Sequence, residues 1–305
     1  MSLIQHFKPP GPSGFGYGST AEQVTAGLDL SGKTYLVTGC NAGMGFETVR
    51  VLTLRGAQVV ATARTIDKAR AACVGLPART MPVACELSDP ASVRACVAQV
   101  RDTCPPLDGI ICNAGIMALP QLHQVHGLEM QFFTNHMGHF LLVTGLLPHL
   151  APLGRVVVLS SDAHRRTCPG GIEFDNLSGE RGYSGWRHYG QSKLANLLFA
   201  KALARRLAGT GCTANALHPG VINTQLTRHL HPVMRVGWAL AAPLLLKSVQ
   251  QGAATQCYVA THPSLAGVSG EYFADCNVAQ PSQFGLDVAL AERLWEVSQQ
   301  IAARW

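Results

Sequence analysis

An apolar run, Tyr35-Leu36-Val37-Thr38, passes directly into Gly39-Cys40-Asn41-Ala42-Gly43-Met44-Gly45 and then into a helical pattern over 44–55. Few sequence features restrict a fold as much as three glycines set between a strand and a helix. Such a chain must turn tightly and pack the helix back on the strand, as the first unit of a βαβ layer does. Missing side chains let backbone N–H groups approach an anion, and the helix dipole favours its charge, so the turn suits a diphosphate. A tight turn without a ligand would use the same glycines.

The rest of the chain repeats the alternation. Short apolar runs at 35–38, 58–63, 80–84, 109–112, 155–160, 213–217 and 271–273 are seven candidate strands, and helical patterns at 44–55, 67–74, 90–103, 127–147, 189–208 and 286–303 separate them. Strands alternating with helices imply a parallel sheet covered on both faces. The fold class is therefore α/β, a single doubly wound Rossmann-type domain of about seven strands. With 305 residues, 47% hydrophobic, one large core is affordable, and no repeat or linker divides the chain. The domain is expected over 31–305, after an N-terminal arm, 1–30, in which Thr20 to Gln23 resembles a capping box.

Composition removes several functions. The net charge of +6 is dispersed, with charged residues at only 14%, so no nucleic-acid partner is expected. Ten scattered cysteines without a C-x-x-C pair suit reduced thiols and a cytoplasmic location. The first residues carry no export signal. The apolar stretch Val236 to Leu246 is about half the length of a spanning helix and contains Pro243, so no transmembrane anchor is expected, although the patch suits peripheral membrane contact. The pairs His123/His126 and His136/His139 have metal-compatible spacing, but no cysteine or carboxylate set joins them, and no metal is expected.

Further motifs follow in order: Cys112-Asn113-Ala114-Gly115 at the end of the fourth strand, Asn135-His136-Met137-Gly138-His139-Phe140, Val158-Leu159-Ser160-Ser161, Tyr189-Gly190-Gln191-Ser192-Lys193, and His218-Pro219-Gly220 with Thr224 beyond. Together with the glycine turn they resemble the short-chain dehydrogenase/reductase family, in its retinol-dehydrogenase-like branch, over residues 33–303. The resemblance implies a catalytic tetrad of Asn135, Ser161, Tyr189 and Lys193. It also implies dinucleotide contacts from Gly39, Asn41, Gly43, Met44, Gly45, Arg64, Glu86, Leu87, Asn113, Ala114, Gly115, Tyr189, Lys193, Pro219, Gly220 and Thr224.

Elementary chemistry supports these roles. Tyr189 and Lys193, at i and i+4, share a helix face, and an ammonium beside a phenol favours its ionised form, as a general acid/base needs. Ser161 stands at a strand's carboxyl end, where it would hydrogen-bond the reacting oxygen; Ser160 is the neighbouring candidate. By the same resemblance, Asn135 would hold a water linking Lys193 to solvent. At the end of the second strand no carboxylate precedes Asp67, and Arg64 is placed to bind a 2′-phosphate, so the expected cofactor is NADP(H) in preference to NAD(H).

Several positions depart from the family pattern. Ser161 and Tyr189 lie 28 residues apart, which requires an extra loop; Glu86 replaces the usual Asp; Cys112 replaces an Asn; and Asn41-Ala42 lacks a second basic residue. The segment at about 223–247, with Val236, Trp238, Leu240 and Leu244 to Leu246, is expected to form an apolar lid over a lipophilic small molecule; the same patch would also suit a homodimer contact. The expected activity is carbonyl/alcohol interconversion. Reduction of an activated C=C bond and a non-catalytic dinucleotide sensor are the alternatives.

Overall fold

In the computed structural model, which describes residues 8–77, 79–222 and 246–305, the elements run α1 (Ala21–Val24), β1 (Thr34–Thr38), α2 (Gly43–Leu54), β2 (Gln58–Ala63), α3 (Ile66–Cys73), β3 (Thr80–Ala84), α4 (Pro90–Thr103) and β4 (Leu107–Cys112). Then come β5 (Gln124–Val125), β6 (Leu128–Glu129), α5 (Met130–Phe132), a π-helical turn (Phe133–Met137), α6 (Gly138–Leu146), β7 (Leu150–Leu159), α7 (Gly185–Arg206) and β8 (Thr213–His218). The chain closes with α8 (Val249–Gly252), α9 (Ala254–Thr261), β9 (Tyr272–Ala274), β10 (Asn277–Val278), α10 (Gln283–Leu286) and α11 (Val288–Ala302).

The main sheet has the order β10-β9-β8-β7-β4-β1-β2-β3. Every pairing is parallel except β9 with β10. The strand order reverses between β1 and β4, which opens a crevice at their carboxyl ends. Strand periodicity explains the two-sided core. Leu36, Val60, Ile110, Val156 and Val158 point into one buried cluster, while their neighbours Tyr35, Val37, Val59, Ile111 and Val157 point into the other.

Helix boundaries follow local chemistry. The Thr65 hydroxyl accepts from Lys68 N to start α3, and Asp89 caps α4 with Pro90 in its first turn. At the end of the chain α11 docks on α7 with the Trp295 and Phe199 rings stacked at 5.8 Å and the Arg206 guanidinium 4.1 Å from the Trp295 centroid. Burial of one such large side chain is worth roughly 1.5–3 kcal/mol.

Two features depart from the sequence expectation. The helix expected from 127 begins at Met130, because His126 (φ 52°) and Gly127 (φ 76°) form the turn of the β5–β6 hairpin. The antiparallel β10 went unanticipated, since two residues carry no readable pattern.

The arm is built into the body. Phe15 packs edge-on against Tyr258 at 5.6 Å, Asn277 receives Ser13 N at 3.0 Å and donates to Phe15 O at 3.0 Å, and Gln251 donates to Gly18 O at 3.2 Å. The capping box at Thr20 and Gln23 is formed.

Candidate active site

The glycine turn is a cradle whose packing leaves no room for side chains on one side. A Cβ on Gly45 would stand 2.3 Å from Gly39 O, and one on Gly39 (φ 73°) would stand 2.9 Å from the Ala114 Cβ. Gly43 (φ 59°) instead faces open space. No side chain caps the N-terminus of α2, so its first N–H groups are left for an external acceptor. Asn41 is exposed beside them, and Met44 is half-buried. These residues fit the diphosphate of a dinucleotide.

Next to the cradle, β1 and β4 are tied at their carboxyl ends. Asn113 Nδ2 donates to Thr38 O at 2.8 Å, and Ala114 N donates to the Thr38 hydroxyl at 2.9 Å. Gly115 then lies within a side chain's width of two expected catalytic groups: its ideal Cβ is 3.1 Å from Asn135 Oδ1 and 3.4 Å from Lys193 Nζ.

The fold brings the four expected tetrad residues to one place. Tyr189 and Lys193 sit on α7 and are 9% and 5% exposed. Lys193 Nζ donates to Leu159 O at 3.0 Å and lies 5.8 Å from the Tyr189 ring centroid. Ser161 Oγ accepts from Ala163 N at 3.2 Å and is close enough to the Tyr189 phenol to lower its pKa, whereas the buried Ser160 hydroxyl donates to Lys193 O at 2.7 Å. Ser160 is thus held by α7 while Ser161 faces the phenol. Burial pushes the Tyr189 phenol above its ordinary value and Ser161 draws it back, while burial pushes the Lys193 ammonium down to about 8. Without the dinucleotide, desolvation is the larger influence on both groups.

Asn135 stands in the π-helical turn, fully buried. Its Oδ1 accepts from Ile116 N at 2.8 Å, and its Nδ2 donates to Ile116 O and to the Ser192 hydroxyl, each at 2.9 Å. Its main-chain carbonyl meets His139 Nδ1 at 2.8 Å, and His139 Nε2 meets the Thr38 hydroxyl at 2.9 Å. A carbonyl only accepts, so Nδ1 carries the proton, Nε2 accepts from Thr38, and Thr38 accepts from Ala114 N. One neutral imidazole thereby links the glycine-turn strand, the Asn113-Ala114-Gly115 loop and Asn135. Burial holds His139 down to about 4, consistent with that neutral form. Sequence reasoning missed His139 and Ser192 as supports, although both lie inside quoted motifs.

At the adenine end, Arg64 is exposed and its Nε lies 3.2 Å from Glu86 Oε2. Leu87 is buried in the core. Pro219 is buried, and Gly220 (φ 94°) adopts a conformation that favours glycine. Thr224 and the lid residues Val236, Trp238, Leu240, Leu244 and Leu245 lie outside the described residues; Leu246 is buried. The long excursion between Ser161 and Tyr189 packs on the start of α7, where Gln191 accepts from Glu173 N at 2.8 Å and a Cβ on Gly190 would meet Arg166 O at 2.5 Å. It ends at Trp186, 52% exposed and edge-on to Tyr189 at 6.1 Å.

Among the described residues no three His, Cys, Asp or Glu side chains come together as a metal site. His136 is buried against Ser298 at 2.8 Å, and burial pushes it down to about 3. All ten cysteines are free. No helix among the described residues is long and apolar enough to cross a membrane.

Known proteins resemble this chain in sequence and in fold. The family model described as short chain dehydrogenase matches residues 33–234. The chain is 44% identical to short-chain dehydrogenase TIC 32 B, chloroplastic, of Brassica napus, over 94% of each chain. It is 39% identical to human retinol dehydrogenase 14, over 88% of this chain and 86% of that one. Its fold matches the crystal structure of a blue fluorescent protein from a metagenomic library in complex with NADPH, with a TM-score of 0.64 and 26% identity over 81% of this chain and 97% of that one.

Proposed function

The chain belongs to the short-chain dehydrogenase/reductase family, and from that membership we propose that it is an NADP(H)-dependent oxidoreductase interconverting a carbonyl and an alcohol on a lipophilic substrate. The observation that carries the reading is the convergence of Ser161, Tyr189, Lys193 and Asn135 beside a glycine cradle that fits a diphosphate.

The dinucleotide, when bound, supplies or accepts a hydride at its nicotinamide ring. The chain's own residues handle the proton and the oxygen. Tyr189 gives a proton to the carbonyl oxygen during reduction and takes it back from the alcohol during oxidation. Ser161, beside the phenol, donates its one hydroxyl proton to the same oxygen as charge develops there. The Lys193 ammonium favours the phenolate left behind, and Asn135, locked by Ile116 and Ser192, fixes the floor behind it. Burial of Tyr189 and Lys193 excludes water and strengthens each of these interactions.

NADP(H) is favoured by the exposed Arg64 guanidinium at the end of β2 and by the absence of a carboxylate before Asp67; the NADPH complex of a structural relative supports the same choice. The lipophilic substrate class is supported by the apolar composition of 236–246, the exposed Trp186 ring beside Tyr189 and the retinol dehydrogenases among the relatives. Ten free thiols suit a reducing compartment, and we place the protein in the cytoplasm. The test is a panel of carbonyls and alcohols followed by NADPH and NADH absorbance. Long-chain or polycyclic carbonyls should give higher kcat/KM than small hydrophilic ketones with NADPH; absence of turnover across the panel would refute the enzyme reading, and preference for hydrophilic ketones the substrate class.

A further inference from the structure

Lys247 is a buried cation with no part in the proton chemistry. It is 1% exposed, and its Nζ lies 2.5 Å from Asp275 Oδ1 and 5.0 Å from the centroid of the Tyr17 ring. Its backbone is bridged to Ile222, with Lys247 N donating to Val221 O at 2.9 Å. Its stem lies against Gly220: a Cβ there would come within 2.6 Å of Lys247 Cδ and 2.9 Å of Cε. Three segments distant in sequence therefore converge on one side chain. They are the arm through Tyr17, the β9–β10 turn through Asp275 and the Pro219-Gly220 turn.

The β9–β10 turn carries a conformational cost consistent with a selected arrangement. Asp275 (φ 50°) and Cys276 (φ 62°) are both left-handed, in a two-residue hairpin turn where Asn-Gly is the favoured pair. Cys276 is held there by its N–H to the Thr255 hydroxyl at 3.2 Å, and Asp275 by Lys247. A buried ammonium without its carboxylate would be costly, so the ion pair fixes where the lysine stem runs. The stem in turn limits where Gly220 can go.

We infer that Lys247 is a positioning residue that holds the Pro219-Gly220 turn in shape for the dinucleotide, an inference that rests on the function proposed above. Asp275 and Tyr17 act through Lys247. The side chain touches neither the reacting atoms nor the tetrad; its effect belongs to cofactor affinity and KM, with kcat at saturating cofactor little changed.

The test compares wild type with Lys247→Met, which keeps the stem and removes the charge, and with Asp275→Asn and Tyr17→Leu. NADPH dissociation constants are measured by protein fluorescence, alongside melting temperature and steady-state kinetics. Lys247→Met should weaken NADPH binding and raise its KM by roughly 3- to 30-fold, with Asp275→Asn shifting both in the same direction and kcat within about 2-fold. A lower melting temperature with unchanged NADPH affinity would make the lysine merely structural and overturn the inference. If Lys247→Met does not fold, Asp275→Asn and Tyr17→Leu decide: wild-type affinity in both overturns it. Wild type that binds neither NADPH nor NADH overturns the proposed function and this inference together, whereas a binding wild type with unaffected variants overturns this inference alone.

Discussion

Glu86 grips Arg64 by the inner edge of its guanidinium: Oε2 lies 3.2 Å from Nε, while Oε1 accepts from both the backbone N–H (3.1 Å) and the hydroxyl (2.8 Å) of Ser88. The contact engages the stem side of the fork, and Arg64 makes no other ion pair among the described residues. A planar guanidinium held this way keeps its outer edge for paired bonds to a phosphate. Arg64→Ala should therefore cut the preference for NADPH over NADH by roughly 10- to 150-fold in kcat/KM. Equal use of both cofactors by wild type would remove the basis for that role.

Glu86 also places a carboxylate beside the expected 2′-phosphate. Because Arg64 is exposed and Glu86 only half-buried, the pair contributes little to stability. Glu86→Gln retains an acceptor for Ser88 and removes the repulsion, so NADPH affinity should rise by about 2- to 5-fold with NADH affinity unchanged. Weaker NADPH binding in titrations of this variant would mean that orientation of Arg64 outweighs charge.

Tyr189→Phe removes the proton donor and leaves the cradle intact. Turnover should fall by roughly 10²- to 10⁴-fold while NADPH still binds. A variant that keeps most of the wild-type kcat on a proven substrate would disprove the role.

Lys193 is held at a cost in folding free energy. Its pKa falls from 10.5 to about 8 on burial, so the unfolded chain binds the proton more tightly, and stability from this group rises as pH increases from about 8 to 10.5. At neutral pH the full penalty is present. Lys193→Met should be inactive yet more stable by on the order of 1–3 kcal/mol at pH 7, even after losing the bond to Leu159 O, with the gain shrinking by pH 10. Urea denaturation at the two pH values measures this, and a variant less stable than wild type at pH 7 would contradict it.

His136 and His139 give the opposite limb. Both are buried neutral, with pKa values lowered from 6.5 to about 3 and about 4. Their stabilising contribution is complete above pH 6.5 and is lost as pH falls from there toward 3–4, each by up to about 1.4 kcal/mol per pH unit. Equal unfolding free energies at pH 7 and pH 5 would be incompatible with their burial in the neutral form.

The sequence carried the backbone of this description and left much of its wiring unreadable. β2, β3 and α4 fall on the expected residues, because apolar runs and the Asp89-Pro90 cap are local signals. The proximity of Tyr189 and Lys193 is likewise local, a matter of helical spacing. The partners of Asn135, the His139 link to Thr38, 101 residues away, and the Lys247 junction depend on segments distant in the chain, and no local pattern encodes them. The same holds for electrostatics: an i, i+4 pair places a lysine beside a tyrosine, but the burial that raises the phenol and lowers the ammonium comes from distant segments and has no local pattern. Fold expectations derived from periodicity were short by β5, β6 and β10, each only two residues long.

The two margins of the sheet have a bearing on how copies of this chain can meet. β3, the outermost strand on one side, carries Pro82 at its centre, where the ring removes an N–H that a docking strand would need. β10, outermost on the other, is two residues long, and the Asn277 side chain is already gripped by Ser13 and Phe15 from the arm. Neither margin offers a continuous row of free amides and carbonyls, so growth of the sheet from one molecule into the next is blocked at both ends. Self-association, where it occurs, is left to the helical faces, and a chain shortened by its first 19 residues should aggregate more readily than the full chain, as light scattering of the two would show.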